Sequence, residues 1–82
     1  MSGYELSPSL VSALVEMRLR QNKLDEAMHL QRRAVARQPD QPSQYVLLSD
    51  ILERLGHEGE ARASLAEASR LRSLVHTQTV TN

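Results

Sequence analysis

Lys23-Leu24-Asp25-Glu26-Ala27 reads as the end of a tight turn and the start of a helix. Thirty-four residues later the chain repeats the pattern as His57-Glu58-Gly59-Glu60-Ala61. The match continues along the helix, where Ala34 has its counterpart in Ala68. A self-match at such a period marks a chain built of stacked supersecondary units, each unable to bury its apolar side alone. The fold question and much of the function question turn on this stretch.

Working outward from the first copy, the residues before it form a helix. Ser7-Pro8 supplies a capping side chain, then a proline where its missing N–H costs nothing. Leu10, Val11, Leu14 and Met17 follow at spacings that share one helix face, widened by Val15 and Leu19. Gln21-Asn22-Lys23 breaks the pattern, with Asn22 suited to a left-handed helix end. The second helix starts near Leu24, with Asp25 and Glu26 at its positive end. Its apolar residues are Leu24, Ala27, Met28, Leu30, Ala34 and Val35, and Pro39 stops it. Asp40-Gln41-Pro42 repeats the opening signal of a cap followed by proline. The third helix carries Tyr45, Leu48, Ile51, Leu52 and Leu55 and ends at Gly56. The fourth begins near Glu58, includes Ala61, Leu65, Ala68 and Leu71, and continues through Leu74 and Val75.

The expected organisation is therefore all-α: two helix-turn-helix repeats, 8–41 and 42–75, within a domain spanning 7–75. A lead-in of 1–6 and a polar, threonine-containing tail of 76–82 flank it. Sliding the chain by one period aligns Pro8 with Pro42, Leu14 with Leu48, Arg20 with Arg54, Glu26 with Glu60 and Met17 with Ile51. Ala27 and Ala61 stand where the second helix of each pair crosses the first, and close approach there needs a small side chain. Ala34 and Ala68, seven residues on, share that side. The competing reading is an ordinary four-helix bundle with an accidental period.

On these residues the chain resembles the tetratricopeptide repeat family over 8–75. The second unit matches more closely: Tyr45 at the large aromatic position, Leu48 at the leucine, Ser49 at the small position after it, then Gly56, Ala61, Leu65 and Ala68. The first unit keeps Leu14, Ala27, Ala34 and the terminal Pro39. It departs at Val15, Arg18, Asn22 and Gln31, and the second unit has Ser73 for the final proline. The resemblance implies a short right-handed α-solenoid with its last helix extended. It also implies an adaptor, co-chaperone or assembly factor that holds another protein.

In that family the first helix of each pair lines a concave groove. Here these residues are Ser9, Ser12, Glu16, Leu19 and Arg20, then Ser43, Val46, Asp50, Glu53 and Arg54. Three carboxylates make the groove mildly acidic, so a basic or mixed peptide suits it. The lysine–asparagine clamp for a partner's terminal carboxylate is replaced by Ser12 and Glu16, so no such clamp is expected. Two units are fewer than the three usually needed for stability. A second face is therefore expected to self-associate or to meet a partner, either Leu65, Leu71, Leu74 and Val75 or the first-helix residues Leu10 and Val11.

Composition narrows the rest. The chain has 82 residues and no cysteine. Disulfides and cysteine-based zinc are thus excluded as supports for a core that rarely supplies more than about 3–5 kcal/mol at this size. A homodimer or a required partner is the expected remedy. Ten basic and ten acidic side chains give zero formal charge, which argues against a general nucleic-acid binder. The alternative, a regulatory or nucleic-acid module, would use the Arg-rich segment 18–37 through Arg18, Arg20, Lys23, Arg32, Arg33 and Arg37. Two tyrosines, Tyr4 and Tyr45, are too few for a base-stacking platform. No apolar run is long enough for a membrane span and no signal peptide is visible, so a cytoplasmic location is expected. His29, His57 and His76 are too scattered for a metal motif, and there is no phosphate loop or nucleophile elbow. No cofactor, metal or catalytic residue is expected.

Overall fold

Ser7 adopts an extended conformation and its Oγ accepts the Leu10 N–H at 3.2 Å, with Pro8 as the first helical residue. A computed structural model of the chain describes residues 7–80, with side chains through Leu74. Four helices make up the described chain: α1 Pro8–Arg20, α2 Leu24–Arg37, α3 Pro42–Arg54 and α4 Glu58–Val80. No strand occurs among the described residues. The fold class is all-α.

The turn read from the sequence recurs atom for atom. Asn22 has φ +59° and Gly56 has φ +86°, both left-handed. At the first turn the Asn22 N–H donates to Leu19 O and the Lys23 N–H to Arg18 O, at 3.0 and 2.8 Å. At the second, Gly56 donates to Glu53 O and His57 to Leu52 O, at 3.0 and 2.9 Å. These are the paired bonds of a Schellman cap, which satisfy the carbonyls left over at a helix end. Three-residue connections of this kind fold each pair back as an antiparallel hairpin. Ala27 and Ala61 then open the following helices, donating to Lys23 O and His57 O. The start of α3 differs from expectation. Asp40 does not cap it; Gln41 holds the capping position without a side-chain bond, and Pro42 fixes the first turn.

Helices pack in sequence, α1 on α2, α2 on α3 and α3 on α4. The four small residues at the hairpin crossings, Ala27, Ala34, Ala61 and Ala68, are all buried. One cluster joins Val11, Val15, Ala27 and Ala34 of the first pair to Ile51 of α3. A second joins Leu48, Leu52 and Ala61, with Met28 and Val35 of α2 against it. Val15 is fully buried. The molecule is a slab of 44 × 38 × 18 Å, its least dimension about that of two packed helices. Its radius of gyration of 14.2 Å exceeds the roughly 12 Å of a ball-like domain of this length.

Three expectations change. The α1 residues do not share one face: Val11 and Val15 point into the core, while Leu10 and Met17 are 47% and 46% exposed. At about 100° per residue, Val11 and Val15 lie a quarter-turn or more from Leu10 and Met17. The segment after Val75, expected as a tail, is helical backbone to Val80, whereas residues 1–6 and 81–82 lie outside the described residues. Gln31, where the resemblance leads one to expect a bulky side chain, is a fully buried polar group. Its Nε2 donates to Gln44 O and Oε1 at 2.9 and 2.7 Å, and Gln44 in turn donates to Gln38 Oε1 at 2.8 Å. This glutamine chain fastens α2 to the start of α3.

Candidate functional site

Exposed surface between α1 and α3 forms an open depression of about 360 Å³ lined by Glu16, Leu19, Arg20 and Arg54. A second of about 510 Å³ is lined by Glu53, Arg54, Glu58 and Arg62. Arg54 borders both, so the two adjoin at the end of α3, the first between α1 and α3 and the second between α3 and the start of α4. Leu19 contributes the apolar contact, half-buried because it also packs on the first core cluster.

The charges are set by helix spacing. Arg20 lies one turn after Glu16, with its Nη2 at 4.0 Å from Oε1. Arg54 lies one turn after Asp50 at 3.4 Å, the same pair one repeat later. Both pairs are at least about half exposed and therefore weak, worth at most about 1 kcal/mol each in water. Weak pairs leave these groups able to exchange partners with a ligand. Arg54 stays in place because α3 is anchored beneath it by Ile51 and Leu52, both essentially unexposed.

Of the residues expected in the groove, Glu16, Leu19, Arg20, Glu53 and Arg54 line these depressions. Ser12, Val46 and Asp50 are half-buried and Ser9 and Ser43 exposed, but none of them lines either depression. Glu58 and Arg62 were missed as site residues. Glu58 reads in sequence as a charge at a helix start, and only the turn at Gly56 brings it beside Glu53. The lining thus carries three carboxylates and three guanidiniums, balanced instead of mildly acidic.

The second expected face is not continuous. Leu71 is buried within the chain, at 9% exposure. Leu65 and Leu74 are 43% and 49% exposed, but nine residues apart they point to opposite sides of α4, about 180° apart. Val75 lies outside the residues whose side chains are described. Among the other repeat-marking residues, Leu48 is buried, and Leu14 and Tyr45 are half-buried. The Tyr45 hydroxyl donates to Pro39 O at 3.0 Å, tying the chain reversal before α3.

The basic segment is divided. Arg18 pairs with Glu26 across the first hairpin at 2.8 Å, and Arg32 with Glu60 of α4 at 2.8 Å. Arg20 faces the α1–α3 depression, while Lys23, Arg33 and Arg37 are exposed on or beside α2. His29 and His57 are exposed, and His76 lies outside the described side chains. Among the described residues no group of three or more potential ligands could hold a metal, and no helix is long and apolar enough to cross a membrane. No protein-family model matches the chain, and no curated protein and no solved structure matches it.

Proposed function

We propose that the chain is a small tetratricopeptide-like adaptor, not an enzyme, that binds a segment of another protein along α1 and α3 and is stabilised by self-association or by that partner. Co-chaperone or assembly work in the cytoplasm fits this reading. The observation that carries it is the pair of adjoining depressions meeting at Arg54, walled by matched carboxylates and guanidiniums with Leu19 between them. A peptide of mixed charge with one apolar side chain complements such a wall, and an extended segment could follow it from one repeat to the next. A terminal carboxylate is disfavoured by Glu16.

The nucleic-acid reading is weaker. Phosphate binding needs cations free to displace counterions. Here Arg18 and Arg32 are held by Glu26 and Glu60, and Arg20 borders the α1–α3 depression while Arg33 and Arg37 lie one turn apart on α2.

Selection of displayed random peptides on the immobilised chain tests the proposal. Selected peptides should carry both charge signs and lose about tenfold or more in affinity to Arg54→Glu, with the circular dichroism unchanged. Equal affinity for Arg54→Glu, or a larger loss in Arg33→Glu, would remove the depressions as the site.

A further inference from the structure

We propose that α1 is the self-association face: Leu10, Ala13, Leu14 and Met17 pack against the same residues of a second copy. The two α1 helices run antiparallel about a two-fold axis between Ala13 and Leu14. This rests on the self-association part of the reading above; Glu16 lies on the flank of this face and also borders the α1–α3 depression, whereas Arg54 is on α3.

The internal repeat identifies the face. One period separates these four residues from Gln44, Leu47, Leu48 and Ile51. Those are the α3 positions that meet the preceding helix pair or its core. Ile51 is fully buried in the cluster with Val11, Val15, Ala27 and Ala34. Leu47 packs on that cluster, Leu48 is buried, and Gln44 bonds to Gln31 of α2 and to Gln38 just past its end. In α1 the same positions are all apolar and have no helix pair before them among the described residues. Met17, the counterpart of the unexposed Ile51, is 46% exposed; Leu10 is 47% exposed, Ala13 is exposed and Leu14 half-buried. With Val11, Val15 and Leu19 on its inner side, α1 is apolar around more than half its circumference. That pattern belongs to a helix covered on both sides.

The same template argues against stacking the second copy on α4. The residues that receive α3 are Met28, Gln31 and Val35 of α2 and Gln38 at its C-cap. Their α4 counterparts are Arg62, Leu65, Ser69 and Arg72. A head-to-tail stack would cover two guanidiniums with an α1 that carries a single carboxylate, Glu16. Burying unpaired charge is costly. The α4 end is therefore a charged cap, and the apolar end of the molecule is α1.

A head-to-head pair has no such conflict. An isologous interface needs a patch complementary to itself. In the antiparallel register Leu10 meets Met17 of the second copy, and Ala13 meets Leu14. On the flank Glu16 comes beside Ser9, so no like charges oppose each other. Ala13 at the axis lets the helices approach closely.

The chain lacks cysteine, so one introduced thiol is the only one present. We expect the intact chain to scatter light as a particle of twice 9.2 kDa in the micromolar range. Ala13→Cys should oxidise to a covalent dimer, whereas Leu65→Cys and Leu74→Cys should not. Met17→Glu should raise the concentration needed for dimerisation by tenfold or more while keeping the helical dichroism, because Met17 is not in the monomer core. A dimer that ignores Met17→Glu, or that is trapped by mixing Leu10→Cys with Leu65→Cys, would overturn this face but leave self-association standing. A monomer at every concentration would overturn both and mean that residues 1–6 or another protein covers α1. Peptide binding is read separately, through Arg54→Glu on α3.

Discussion

Replacing Ile51 with valine asks whether α3 is seated on the first helix pair. Ile51 is the α3 member of the cluster that includes Val11, Val15, Ala27 and Ala34, and it has no exposed surface. Removing one buried methylene there should cost about 0.5–1.5 kcal/mol, the lost transfer energy plus the unfilled volume. For a domain of this size about 1 kcal/mol lowers the melting temperature by roughly 4–8 °C. Alanine is the wrong probe, since a loss of about 2–5 kcal/mol would match the roughly 3–5 kcal/mol that such a core supplies in total. The control is Leu74→Val, at a side chain 49% exposed on α4, where a change within about 0.5 kcal/mol is expected. Both melts are followed by circular dichroism at one chain concentration, because association makes the midpoint concentration-dependent. If Ile51→Val shifts the midpoint no more than Leu74→Val does, α3 does not rest on the first pair and the repeat-on-repeat packing is wrong.

Two further outcomes follow from the turn and from α4. Gly56→Ala should destabilise by about 1–2 kcal/mol from the left-handed backbone alone, because a methyl group there meets nothing within 4 Å; urea midpoints for this variant and for Asn22→Gly, expected to be near neutral, check it. Glu67 is held below its ordinary carboxyl pKa of 4.5 by the Arg70 hydrogen bond. A carboxyl whose pKa falls on folding adds stability above its unfolded value and loses it as pH drops through the folded one. The small deficit of Glu67→Gln at neutral pH should therefore vanish in acid below that range, and a deficit independent of pH would contradict the pairing.

The sequence made the turns and crossings readable because each has a local cause. Asn22 and Gly56 can take a left-handed backbone, Pro8 and Pro42 fit the first helical turn, and alanine suits a close helix crossing. The direction of each α1 side chain was less readable. Leu10, Val11, Leu14 and Met17 fit one broad stripe by spacing, and only the seat of α2 decides which of them turn inward. Gln31 was opaque for a related reason. A glutamine in an apolar slot signals nothing until Gln44, thirteen residues away, lies beside it. Leu71 fitted the apolar spacing of a stacking face, yet it is buried within the chain. In the site, Glu16, Leu19, Arg20, Glu53 and Arg54 followed from helix spacing and the resemblance. Glu58 and Arg62 needed the three-dimensional course of the Leu55–His57 turn.

The proposed peptide site runs from the α1–α3 depression past Arg54 to Glu58 and Arg62 at the start of α4. Titrating a selected peptide into uniformly ¹⁵N-labelled chain and following the amide shifts tests it most directly. Shifts concentrated on Glu16, Leu19, Arg20, Glu53, Arg54 and Arg62 are predicted. Saturable binding with shifts centred on the outer face of α2, around His29, Arg33 and Arg37, and none at Arg54 would contradict it.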